Sequence, residues 1–104
     1  MLKENRNTEA LQELLETEVN TYLIKVNSLK KDEKKIYGDD SLQVAKTQKI
    51  IGTLYLVKNQ FYESKSYLNK AKKIFEANKM KRTVSEINKK LRILKDMKER
   101  EAYE

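Results

Sequence analysis

Acidic residues, lysines and hydroxyl-bearing residues supply the reactive side chains of this sequence, because it contains no His and no Cys. Without His, the chain lacks the commonest general base and the commonest metal ligand. Without Cys, it can form no disulfide, no thiolate metal site and no cysteine nucleophile. Any chemistry must therefore come from carboxylates, amines and hydroxyl groups.

Two groups of acidic residues are candidates for general acid and base work. Glu9, Glu13 and Glu16 share one helix face, and Asp32 lies beside Glu33. Such catalysis needs apolar surroundings that raise the pKa of one carboxyl group, and neither group has them. Phosphate-binding Gly-rich loops are absent from the sequence. We therefore expect solvated helix acids, no catalytic residue, no metal, no cofactor and no enzymatic activity.

The positive charge is concentrated in the last two thirds of the chain. Residues 1–40 carry seven Lys/Arg against nine Asp/Glu, a net charge of −2. Residues 41–78 carry seven against two, and residues 79–104 carry nine against five, which gives +5 and +4. A basic surface attracts nucleic acid, anionic membranes or acidic protein segments. The alternative explanation of this composition is a Lys-rich helix exterior that contacts only solvent.

Nucleic acid is one candidate partner for this basic region. Six Tyr residues could stack on bases, and they are interleaved with Lys as in the segment 65–67. Non-specific phosphate contacts would then come from Lys70, Lys72 and Lys73. No known nucleic-acid recognition module is visible in the sequence.

The elements that must position these side chains are helices. Apolar residues recur with helical spacing from end to end, and only two Gly and no Pro interrupt them. We predict an all-α fold of about four helices arranged as antiparallel hairpins. No apolar run approaches the roughly 20 residues that a membrane span needs, and residues 1–6 are too charged for a secretory signal. A soluble, cytoplasmic protein is expected.

The first helix is predicted over residues 1–37 and ends at Gly38, which suits a left-handed C-terminal cap. Asp40 and Gln43 have the spacing of a capping box for the next helix. The first helix has a narrow apolar stripe that requires a partner surface. The stripe consists of Leu11, Leu15, Val19, Tyr22, Val26, Leu29 and Ile36.

A helical hairpin is predicted over residues 41–78, with Asn59 as the left-handed residue of its turn. Its first helix, residues 42–58, is apolar on more than one face, which indicates burial between neighbours. Its second helix, residues 61–78, has a stripe of apolar and small residues. That stripe consists of Phe61, Ser64, Leu68, Ala71 and Phe75.

Residues 79–104 are predicted to form a C-terminal capping helix with a charged tail. Thr83 and Glu86 match a capping box, so the helix is expected to begin at Thr83. From Lys95 the chain is highly charged, and we expect it to fray. The buried stripe of this helix consists of Val84, Ile87, Leu91 and Leu94.

The spacing of Gly52, Tyr55, Ser64, Leu68 and Ala71 resembles one tetratricopeptide repeat. In such a repeat, small residues lie where the two antiparallel helices approach most closely. A Gly inside a helix costs about 1 kcal/mol relative to Ala, and close approach by a partner helix would explain it. Tyr55 and Leu68 would fill the space between the two helices. An ordinary helical hairpin is the alternative.

The flanking residues resemble the kinesin-light-chain subtype of this repeat. A Gly-Asp-Asp connector at residues 38–40 is followed by Val44-Ala45. The sequence departs from the subtype at Ser64, where Ala is usual, and at Gln48, where a bulky apolar residue is usual. The usual Pro residues of the connector and of the repeat end are missing.

The resemblance implies an α–α superhelix that acts as a scaffold or adaptor in protein–protein interactions. By the same register, residues 1–37 could instead be the remnant of a preceding, degenerate repeat, whose second helix would contain Tyr22, Val26 and Leu29. Such repeats are unstable singly, because neighbouring repeats must cover their hydrophobic faces. The chain is therefore expected to be the end of a longer array, a short isoform of a longer protein, or a protein that self-associates through its first helix. A narrower resemblance within this family implies a cytoskeletal or ciliary setting.

The resemblance also implies a partner-binding groove, lined by the first helix of each hairpin. The lysines there could contact the carboxylates of an acidic or C-terminal peptide in extended conformation. Alternatively, Leu56 and Val57 pack on the first helix and the lysines are only solvated. The predicted groove residues are Lys46, Lys49, Thr53, Leu56 and Val57.

Overall fold

Four α-helices form the fold in a computed structural model, which describes the backbone of residues 2–102 and the side chains of residues 9–101. Their bounds are α1 Leu2–Tyr37, α2 Leu42–Val57, α3 Phe61–Ala77 and α4 Lys81–Ala102. The described part of the chain contains no β-strand. The prediction of an all-α fold with about four helices is confirmed.

Three residues with positive φ end the first three helices. They are Gly38 with φ 92°, Asn59 with φ 60° and Lys79 with φ 58°. Gly38 and Asn59 confirm the prediction, whereas Lys79 could not be identified because Lys carries no turn preference. Two backbone hydrogen bonds hold its conformation. The Lys79 amide donates to the Glu76 carbonyl at 3.0 Å. The Met80 amide donates to the Phe75 carbonyl, also at 3.0 Å. This is a Schellman motif, with Met80 packed on the core as its hydrophobic contact.

The N-terminal caps of α2 and α4 differ from the predictions. Ser41, and not Asp40, caps α2, because the Ser41 Oγ accepts a hydrogen bond from the Val44 amide at 3.2 Å. The predicted start of α4 at Thr83 is also wrong. The chain re-enters a helix directly after the Schellman motif, so α4 begins at Lys81. It continues to Ala102 instead of losing its helical structure near Lys95.

The larger core lies between α2, α3 and α4. Gly52 permits close approach of α2 and α3, because a Cβ there would lie 2.8 Å from the Leu68 Cγ. The Ser64 Oγ donates a hydrogen bond of 2.6 Å to the Gly52 carbonyl at the same point. The stripes predicted for α3 and α4 form this core. Its buried members are Ala45, Leu68, Ala71, Ile74, Phe75, Ile87 and Leu94.

A smaller core joins α1 to α2, and it corrects one prediction. Leu23, absent from the predicted stripe, is buried in it beside Val19, Val26 and Ile51. Tyr55 packs against this core and stacks on the Tyr67 ring of α3 at 5.8 Å between centroids, so it also lies between α2 and α3. The other predicted stripe residues of α1 are exposed: Leu11, Leu15, Tyr22, Leu29 and Ile36.

The length of α1 explains why its stripe is not buried. Its 36 residues span about 54 Å at 1.5 Å per residue, whereas α2 has 16 residues. Among the described residues, the backbone of α1 contacts that of α2 and of no other helix. The shorter α2 can therefore cover only part of the stripe. Burial is therefore restricted to residues 19–26.

Polar contacts extend the attachment of α1 beyond this core. Glu33 is half-buried and accepts a hydrogen bond from the Thr47 hydroxyl, so the expectation that it is a solvated acid is wrong. The Lys30 Nζ lies 3.4 Å from the Tyr67 hydroxyl oxygen and 4.8 Å from the ring centroid. None of the helices in the described residues is long and apolar enough to cross a membrane.

Candidate functional site

Contacts between α2 and α4 form a row of polar groups. The Lys49 Nζ lies 3.9 Å from the Glu86 Oε2. One turn further along both helices, the Lys90 Nζ donates a hydrogen bond of 2.9 Å to the Thr53 Oγ1. The Thr53 hydroxyl in turn donates to the Lys49 carbonyl at 2.9 Å. Because the paired positions advance together, α2 and α4 run parallel here.

Lys46 lies one turn before Lys49 on the same face of α2, and its side chain is exposed. Val57 lies one turn beyond Thr53 and is 50% exposed. We call the group formed by Lys46, Lys49, Thr53, Val57, Glu86 and Lys90 the α2–α4 surface. Three ammonium groups and one carboxylate give it a net charge of +2.

The electrostatic environment of Lys90 is unfavourable for its charge. Burial lowers the pKa of Lys90 from its ordinary value of 10.5, and the nearby Lys49 ammonium lowers it further. The Glu86 carboxylate opposes both effects and raises it. The net lowering means that Glu86 alone does not compensate Lys90 for burial and for the charge of Lys49. An additional anion at this point would stabilise its charged form.

Four of the five predicted groove residues lie on this surface, and the fifth lies beneath it. Leu56 is partly buried and packs on the core between α2, α3 and α4. Neither Leu56 nor Val57 belongs to the core that joins α1 to α2. The alternative in which both pack on α1 is therefore wrong, because α1 covers the opposite face of α2, where Ile51 and Tyr55 lie.

Sequence reasoning missed Glu86 and Lys90. They are four residues apart and flank the Ile87 position in the predicted buried stripe of α4. Treating α4 as a second groove-lining helix, equivalent to α2, would have identified them. A helix that only caps the hairpin has no expected role for its polar residues.

The nucleic-acid candidates lie on a different helix, α3. Lys73 is exposed, Lys72 is half-buried, and the Lys70 Nζ lies 5.2 Å from the Tyr67 ring centroid. The Tyr67 ring is stacked on Tyr55, so one face of each ring is covered. Burial raises the pKa of Tyr55 above its ordinary value of 10.0, with smaller contributions from Tyr67 and Glu63.

The acidic residues of α1 form no visible binding centre. Glu9, Glu13 and Glu16 are exposed. Among the residues whose side chains are described, no three His, Cys, Asp or Glu could together hold a metal ion. Comparison with known protein families, curated proteins and solved structures finds no match for this chain.

Proposed function

We propose that this chain is a protein–protein interaction module whose α2–α4 surface binds an acidic peptide in extended conformation. The observation that carries the proposal is the row of contacts that brings Lys90 and Lys49 together at Thr53, with the exposed Lys46 one turn before Lys49. A peptide carboxylate placed among these ammonium groups would remove their mutual repulsion. The exposed Val57 would offer an apolar contact further along the same peptide.

Helix arrangement supports a tetratricopeptide-type module as the basis of this function. The close contact of Gly52 with Ser64 and Leu68 is typical of the two helices of such a repeat. The α4 helix runs parallel beside α2, as expected of the first helix of a following repeat. In that arrangement, the residues of the α2–α4 surface line a groove. The cytoplasmic location expected from the sequence and the cytoskeletal or ciliary setting implied by the resemblance stay predictions.

Non-specific binding of nucleic acid through Lys70, Lys72 and Lys73 is the alternative function. It predicts affinity that falls steeply with salt, because counterions are released from the phosphates. The peptide function predicts a modest salt dependence, since few charges are involved. The two proposals also use different helices, so substitutions can separate them.

Fluorescence anisotropy with a labelled acidic peptide, an oligonucleotide and a basic control peptide tests the proposal. We expect the acidic peptide to bind, and the double substitution Lys46→Gln and Lys49→Gln to weaken binding at least about tenfold, since close charge pairs are worth about 1.4 kcal/mol or more. The matched control is Lys70→Gln with Lys73→Gln, which removes the same charge from α3. Equal losses in both variants, or preference for the oligonucleotide, would contradict the proposal.

A further inference from the structure

The N-terminal half of α1 presents apolar side chains that nothing in the described chain covers. Leu11, Leu14 and Leu15 are spaced as one helix face and are 66%, 61% and 52% exposed. We call these three residues the leucine face. Contiguous exposed apolar groups on a helix usually mark an interaction site.

A groove that could receive such a face lies between α3 and α4. It has a volume of about 650 Å³. Leu94 is buried at its base, Phe61 and Leu91 are half-buried, and Tyr62 is 82% exposed beside them. We call it the α3–α4 groove. An amphipathic helix with apolar residues at i, i+3 and i+4 is the kind of ligand that such grooves bind.

Charge distinguishes this pairing from a generic apolar contact. Residues 9–18 carry four Glu and no Lys or Arg, a net charge of −4. The α3 and α4 helices carry twelve Lys/Arg against six Asp/Glu, a net charge of +6. Lys65, Lys95 and Lys98 line the α3–α4 groove together with Glu63 and Glu99. The acidic segment 9–18 and the groove lining, whose net charge is +1, are therefore opposite in charge.

The two surfaces cannot meet within the described arrangement of one chain. The α1 helix packs on α2 and makes no backbone contact with α4. A second copy, however, carries the same leucine face and can present it to the groove of the first. Such a contact joins two different surfaces, so it is heterologous and leaves one groove and one leucine face free.

We propose that the leucine face of one copy docks into the α3–α4 groove of a second copy, which produces head-to-tail association. The leucines cover the exposed apolar groups of the groove, while Glu13 and Glu16 lie near Lys95 and Lys98. This contact does not use the α2–α4 surface, so it is independent of peptide binding. The interface is small, and association weaker than micromolar is expected.

Sedimentation velocity of the 104-residue chain, from about 10 μM to about 1 mM, tests the proposal with charge-reversal variants. One variant carries Glu13→Lys and Glu16→Lys, and the other carries Lys95→Glu and Lys98→Glu. All four side chains are exposed, so folding should be retained, and circular dichroism checks this. Lys81→Glu with Arg82→Glu is the matched control, because it reverses the same charge at the distant end of α4.

The wild-type chain and the control should associate with rising concentration, and each test variant alone should associate at least about tenfold more weakly. An equimolar mixture of the two test variants should recover association, because each supplies a surface complementary to one on the other. A monomeric wild-type chain at the highest concentration would overturn the proposal. So would unchanged association of the Lys95→Glu, Lys98→Glu variant, which would indicate pairing of α1 with α1.

Discussion

At the scale of single residues, the contact between Gly52 and Leu68 sets how closely α2 and α3 approach. A Cβ at Gly52 would lie 2.8 Å from the Leu68 Cγ, 2.9 Å from its Cδ2 and 3.2 Å from its backbone nitrogen. Rotation of the Leu68 side chain could relieve the first two contacts but not the third. The sequence predicted this close approach because an interior helical Gly requires a compensating contact.

We predict that Gly52→Ala destabilises the protein by up to about 2 kcal/mol in urea unfolding. Helix propensity alone favours Ala by about 1 kcal/mol, but overpacking of a close-packed core costs about 1–3 kcal/mol. In a Leu68→Ala background, the same substitution should be neutral or stabilising, because two of the three close contacts are gone. A stabilising effect of Gly52→Ala in the wild-type chain would contradict this explanation.

Lys90 gives a second prediction at this scale. Its pKa is lowered from 10.5 in the folded state, so the unfolded chain binds more protons between the lowered pKa and 10.5. Stability is therefore expected to rise with pH across that interval. Direct titration of the Lys90 Nζ by NMR should give a pKa below 10.5, and Lys90→Gln should flatten the pH dependence of unfolding. A Lys90 pKa at or above 10.5 would contradict this prediction.

The capping residues show where prediction from sequence fails at the residue scale. Asp40 and Ser41 are adjacent, and both side chains can accept hydrogen bonds from helix amides. Local sequence does not decide between them, whereas the turn after Gly38 places Ser41 at the cap. At Thr83 the capping-box spacing is present, but the Schellman motif at Lys79 starts the helix earlier.

At the scale of elements, α1 is attached to the rest of the molecule along only part of its length. Val19, Leu23 and Val26 are buried against α2. Glu33, one helix turn before the C-terminal end of α1, accepts a hydrogen bond from Thr47. The periodic stripe correctly predicted an amphipathic helix. It could not predict which part is covered, because that depends on the length of α2 and on where it crosses α1.

Hydrogen exchange tests this partial attachment. Amides of residues 19–33 are expected to exchange more slowly than those of residues 9–18, because only the former pack on α2. Thr47→Val should speed exchange near Glu33 without affecting α3 and α4, since it removes a hydrogen bond between α1 and α2. Uniform protection along α1 would show that the leucine face is covered in solution.

At the scale of the whole molecule, charge and apolar surface are distributed unequally between two sides. The leucine face and the acidic residues around it belong to α1, and the basic surfaces belong to α2, α3 and α4. The charge asymmetry was evident from the sequence, as were the two candidate lysines on α2 and the three on α3. The sequence does not reveal that Lys90 pairs with Thr53 and Glu86 with Lys49, because these contacts require α4 to lie parallel to α2.

Binding of an acidic peptide is the function proposed for the α2–α4 surface. Its most direct test is a ¹H–¹⁵N NMR titration of the labelled chain with such a peptide, below the concentration at which copies associate. We predict that backbone signals of Lys46, Lys49, Thr53 and Lys90 shift together and saturate. Shifts centred on Lys70 to Lys73 of α3, or no saturable shift, would contradict the claim.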